Sequence, residues 1–334
     1  MKNIIYIMLM AVSFAMASCA KPFDPGFDEE PVIFLEAFPG ADADHVKFRI
    51  LPAYSKSNTA MMPPFNPVIR FTVNGKDISV ACIDAESGTY KADHKALPGE
   101  KMAITVTSEG FTEIYAETVI PEPFPNRVID YRYEDYGTRT FNVLYITFEH
   151  TDSRCYGIQI LHERTDELPS GPQVHTYRYS GSTYSDYYDI VPASMKGMVI
   201  DLYGESMSSW NGASFEEGTC TLSLLPTTYG YADMDSYDSF FVHEGESKLY
   251  DEEWNEIGIY RYIDRNRLLL YTMTDEFYKY KAAKEMEDSN SGVLGGLAPS
   301  NYCYSNVNGG FGAFAGISCV ETNWITKEFI ESNR

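Results

Sequence analysis

The residues whose types and spacing most sharply specify a covalent chemistry are Met16-Ala17-Ser18-Cys19, which close an apolar N-terminal run. Lys2 supplies a positive charge, Ile4 to Phe14 is almost uninterrupted apolar, and two small residues precede the cysteine. That is the layout of a secretory signal with its cleavage site. A peptidase that cuts before a cysteine acts on a thiol already carrying a diacylglyceryl group. The pattern therefore resembles a lipobox, with Met16 where leucine is usual, and makes Cys19 the expected lipid-attachment residue. Acyl chains contribute roughly 0.8 kcal/mol per buried methylene, and more than one chain is needed for stable anchoring. The apolar run itself is too short to cross the ~30 Å of hydrocarbon as a helix.

Other stretches offer weaker chemistry. His162-Glu163-Arg164-Thr165-Asp166 opens like a zinc-protease helix, but Asp166 stands where the second imidazole must be. It reads as a polar loop after a strand. Asp233, Asp235 and Asp238 could hold a structural Ca²⁺, although the glycine turn and closing glutamate of a helix-loop-helix calcium site are absent. No other cofactor is implied. Gly310-Phe311-Gly312-Ala313-Phe314-Ala315-Gly316 has the glycines of a dinucleotide loop without room for the βαβ unit that such a loop needs. The glycines read instead as a bulge or a close strand crossing. Asp251, Glu252 and Glu253 beside Trp254, or Glu216 with Glu217, are carboxylate groupings of the type glycoside hydrolysis uses. No Gly-x-Ser-x-Gly elbow is present, and no catalytic residue is assigned. Tyr184, Tyr187 and Tyr188 in a Ser/Gly/Asp-rich segment, together with Trp210, are candidate ligand contacts, because rings stack on sugars or anchor protein interfaces. The alternative for each ring is packing across strands in the core.

Five cysteines follow Cys19: Cys82, Cys155, Cys220, Cys303 and Cys319. None has the two-residue spacing of a zinc or redox pair. Cys303 and Cys319, which bracket the glycine-rich loop, form the one disulfide worth naming, and the alternative is buried thiols.

The composition sets the frame for these residues. The chain carries a net charge of −22, which becomes −23 when Lys2 leaves with the signal. Such an acidic surface argues against nucleic-acid binding and adhesion to anionic headgroups. The abundance of Tyr, Phe, Gly and Pro favours strands and turns over helices. Residues 1–18 read as the signal peptide and 19–30, with four acids, two prolines and a glycine, as a flexible acidic tether. Residues 31–121 read as an immunoglobulin-like β-sandwich. Asn74-Gly75 joins two alternating runs as a hairpin, and further turns fall at Gly88, Pro98-Gly99 and Gly110. The Pro-rich stretch from Ile120 to Pro125 cannot join a ladder and marks the boundary. Residues 122–334 form a larger β-rich domain. In it, Ile257–Ile263 and Leu268–Met273 read as a hairpin around Asp264-Arg265-Asn266, and one short helix runs from the Thr274 cap to about Met286.

The lipobox, Gly88-Thr89-Tyr90, Leu97-Pro98-Gly99-Glu100, Ile120-Pro121-Glu122-Pro123, Leu270-Tyr271 leading into Phe277-Tyr278-Lys279-Tyr280, and Ser305 to Phe314 are carried together over the mature chain. In this set the chain resembles the domain of unknown function 4249 family of Bacteroidetes-type outer-membrane lipoproteins. The resemblance implies placement in a Gram-negative envelope, often beside TonB-dependent transporters, and brings no catalytic residues. The acidic tether resembles a surface-export signal, so the expected location is the outer membrane, lipid-anchored, at the cell surface. The leading expectation is a non-enzymatic binding or accessory lipoprotein that assists a TonB-dependent transporter in nutrient capture, with glycan as one ligand. The alternatives are a fimbrial or adhesin-type structural lipoprotein that polymerises by strand donation, and then a glycan-active enzyme. No basic cleavage site near residues 31–60 supports strand donation.

Overall fold

A computed structural model describes residues 31–41, 43–53, 63–136, 139–150, 154–179, 200–202, 207–212, 218–224, 241–293 and 304–333. Cys19, the tether, Tyr184, Tyr187, Tyr188, the Asp233–Asp238 loop, Glu216, Glu217 and Cys303 lie outside the described residues. The chain is mainly β. In the N-terminal part the strands are β1 (Val32–Ala37), β2 (Val46–Ala53), β3 (Val68–Val73), β4 (Lys76–Ile78), β5 (Val80–Asp84), β6 (Thr89–Ala92), β7 (Lys101–Thr107) and β8 (Ile114–Val119). Asn74 and Gly75 both take positive φ, 50° and 79°, so the β3–β4 connection has the backbone twist that a tight hairpin demands. Gly88, Gly99 and Gly110 also sit at positive φ in the expected turns.

After the Pro-rich stretch come β9 (Arg127–Tyr136), β10 (Arg139–His150), β11 (Cys155–Leu168), β12 (Gly171–Tyr179), β13 (Ile200–Leu202), β14 (Met207–Asn211), β15 (Gly218–Leu224), β16 (His243–Tyr250) and β17 (Glu256–Met273). The helix α1 (Asp275–Val293) follows, then β18 (Phe311–Phe314), β19 (Ile317–Glu321) and α2 (Lys327–Ser332). The Thr274 hydroxyl accepts from the Phe277 N–H at 3.4 Å, the cap read from sequence, and α1 runs past Met286 to Val293. The second helix is an addition to the single one expected. Thr326 caps it by accepting from the Phe329 N–H, and Ile330 is buried.

The N-terminal sandwich faces a four-stranded sheet, β4-β3-β7-β8, with a five-stranded one, β18-β1-β2-β6-β5. Alternate residues from both sheets, among them Ile33, Leu35, Phe48, Ile50, Phe71, Met102, Ile104 and Ile114, form one core. The last strand of the five comes from the far end of the chain. β18 lies parallel to β1, with Leu35 opposite Gly312. Gly312 is required there: at φ 108° an added Cβ would lie 1.9 Å from the Leu35 carbonyl oxygen. The loop residue Gly316 donates its N–H to the Thr118 hydroxyl, and Ser318 donates to the Pro121 carbonyl.

The second core lies between the three-stranded sheet β15-β10-β9 and the long central pair β11–β17 of a seven-stranded sheet. Phe124 of the Pro-rich stretch belongs to it, against Phe148 and Tyr156. β17 is one continuous strand of 18 residues, so the hairpin expected at Asp264-Arg265-Asn266 does not exist. That triplet has turn-like local preference, but it is paired residue for residue with Arg164, Glu163 and His162 of β11. Opposite charges across the ladder hold it extended. The same register places His162 to Asp166 inside β11 rather than in a loop.

Candidate functional site

β11 and β17 are longer than the core they cross. Their inner ends pair Ile158 with Leu270 and Ile160 with Leu268, all buried. Beyond Leu161 and Asn266 the two strands continue outward, flanked by β12 and β16, into a four-stranded extension without a buried apolar layer among the described residues. This wing is the candidate site, because it presents side chains that the cores do not use.

Its root is polar. His162 Nδ1 lies 3.0 Å from Asn266 Oδ1 and its Nε2 3.4 Å from Asp264 Oδ1. Burial pulls the His162 pKa down, but the hydrogen bonds to Asp264 and Asn266 and the Asp264 charge outweigh it, and the net shift is upward. Arg164 donates from Nε to Asp166 Oδ1 at 2.8 Å, comes within 3.7 Å of Asp264 Oδ2, and stacks 3.9 Å over the Tyr262 ring. In the other direction Arg265 pairs with Glu163, and Arg265 and Arg267 both lie over the Trp324 ring, at 4.6 and 4.9 Å. Arg267 also meets Glu321 at 2.5 Å. Each carboxylate here faces a cation or an imidazole, which is an arrangement that braces two strands. Among the described residues no group of three or more His, Cys, Asp or Glu side chains is placed to hold a metal ion.

The far end of the wing is different. Asp251 closes the β16–β17 turn: its carboxylate accepts from the N–H groups of Glu253 and Asn255 and from Asn255 Nδ2, at 3.0, 2.8 and 3.1 Å. The Asn255 backbone and side-chain bonds hold the Asp251 pKa below the ordinary carboxylate range, so it is an ionised turn-former rather than one half of an acid–base pair. The turn places Trp254 at φ 65° with 83% of its surface exposed. Its ring lies 6.3 Å from that of Tyr250 at 46°. Ile257 and Ile259, two apart on one strand face, are 59% and 62% exposed.

The ring singled out from sequence is elsewhere. Trp210 takes the core alternative: it is 1% exposed and stacked on Tyr156 at 5.7 Å. Its register on β14, opposite Tyr156 of β11, turns the side chain inward. Trp254 was legible only as a neighbour of three acids; the turn's handedness, which turns it outward, is a tertiary fact. Cys319 is half-buried on β19, and its partner in the expected disulfide, Cys303, lies outside the described residues.

The family described as a domain of unknown function (DUF4249) matches residues 20–323, and the chain belongs to it. No curated protein matches the sequence. The match covers the sandwich, the long central pair, the wing and the glycine-rich β18 segment.

Proposed function

We propose that this protein is a lipid-anchored accessory lipoprotein of a Bacteroidetes-type outer membrane, held at the cell surface through Cys19 and assisting a TonB-dependent transporter in nutrient capture. The observation that carries the reading is the Met16-Ala17-Ser18-Cys19 motif followed by the acidic stretch to Glu30. Anchoring confines a binding surface near a pore and raises its effective concentration there without new contacts. The wing supports a binding role, since it displays rings and aliphatic side chains that neither core uses. Polymerisation by strand donation is less well supported, because the edge of β1 that a donated strand would need is already covered by β18 of the same chain. Mild detergent extraction followed by affinity capture of the intact lipoprotein tests the reading. Co-purification of a TonB-dependent transporter, together with release of a Cys19→Ser variant from membranes, is the expected result. Recovery as a lone species in several detergents would refute it.

A further inference from the structure

We infer that the tip of the β16–β17 hairpin is a docking knob for another protein, one that offers an apolar hollow rimmed by lysine or arginine. The inference rests on the accessory reading above, whose partner it describes. Its starting point is Trp254. A bulky residue at φ 65° is in a region that glycine or asparagine occupies at less cost, and with 83% of its surface in solvent the indole returns little packing to the fold. Asp251 holds the turn with three hydrogen bonds, so the ring is presented in a fixed place. Tyr250 beside it and the exposed Ile257 and Ile259 extend the patch. Aromatic anchors on a preorganised turn are what an interface centre uses.

The chemistry around the knob selects the occupant. Asp251, Glu252 and Glu253 precede the indole, whereas the cation nearest it in sequence, Lys248, is bound to Glu256 at 2.7 Å. Three carboxylates oppose burial of the tip among anionic headgroups. A second copy of a chain with net charge −22 would meet the same charge sign. Trp254 and Tyr250 offer ring faces, but the exposed Ile257 and Ile259 beside them add apolar area that gives a sugar neither a ring face nor a hydrogen bond. A basic-rimmed protein surface satisfies both the apolar patch and the acids.

The test uses the full-length lipoprotein in its own cells, with a photo-crosslinking phenylalanine analogue at position 254, at 259, or at the exposed Ile83 of the sandwich as control. One discrete protein adduct is expected from 254 and 259 and none from 83. Glu252→Lys with Glu253→Lys should cut it about tenfold, and the cross-linked peptide should carry Lys or Arg. An adduct to lipid, to polysaccharide or to a second copy, no adduct, or an adduct undiminished by charge reversal overturns the inference. Trp254→Gly should leave the melting temperature unchanged or raised while abolishing the adduct from 259; a lowered melting temperature would make the indole structural and also overturn it. An adduct to a protein other than a transporter keeps the knob and removes the transporter. A transporter that co-purifies equally with Trp254→Gly does the reverse.

Discussion

The Asn306 side chain grips Phe314 on both sides: Oδ1 accepts from the Phe314 N–H at 2.9 Å, and Nδ2 donates to the Phe314 carbonyl at 2.8 Å. The clamp closes the glycine-rich segment into a loop and fixes the end of β18 at Phe314. Two backbone groups at the seam between the chain's ends depend on one amide. Net hydrogen-bond contributions are about 1 kcal/mol each, and more is lost where a buried partner is stranded. Asn306→Ala should therefore cost roughly 2–3 kcal/mol, read as a lower urea midpoint. Asn306→Asp keeps only the acceptor and should fall between the two.

Trp210→Ala should destabilise by about 3–5 kcal/mol, the usual loss for emptying a large aromatic site in a core. Calorimetry of the purified protein checks this. Trp210→Phe, which keeps a ring against Tyr156, should cost much less. A small effect of the alanine change would contradict the buried stack.

Thiol reactivity should divide by position. Burial pushes the Cys155 thiol up to about 12, and burial pushes Cys220 up to about 11, so neither is a thiolate at neutral pH. Cys82 is exposed on β5. Iodoacetamide at pH 8 should label Cys82 in the folded protein and reach Cys155 and Cys220 only after denaturation, as peptide mass mapping would show.

The brace at the root of the wing should depend on pH. His162 has a raised folded pKa, so its contribution is fully present below the unfolded imidazole value of about 6.5 and fades as pH climbs through the folded pKa. The stability gap between wild type and Asp264→Asn should be widest in mild acid and should narrow over that rise. Arg164 keeps part of the gap at high pH, because it stays charged beside Asp264. Urea unfolding at a series of pH values, with an NMR titration of the imidazole, measures both. A His162 pKa that falls rather than stays when Asp264 is neutralised would confirm that the carboxylate overcomes burial.

Local signals carried much of this fold. Asn74-Gly75 named its own hairpin, Thr274 with Asp275 and Glu276 named the helix start, and alternation marked most strands. What failed depended on residues far away in sequence. Asp264-Arg265-Asn266 looks like a turn until Arg164, Glu163 and His162 are opposite it. The same pairing turned an apparent metalloprotease fragment into strand. Gly312 announced a close approach but not that its neighbour would be Leu35. Trp210 is buried and Trp254 exposed because ring exposure is decided by sheet pairing in one case and turn handedness in the other.

The parallel seam between β1 and β18 also governs how the molecule can be assembled. β1 must wait for β18, far later in the sequence, so the sheet that holds them closes only after most of the described residues have been made, and folding is slowed by the long closure. Any product cut short before Phe311 would leave the β1 backbone edge bare, a template for unwanted strand addition. Arrival of β18 thus acts as a proofreading step: the sheet that β1 opens is sealed only when that distant strand docks.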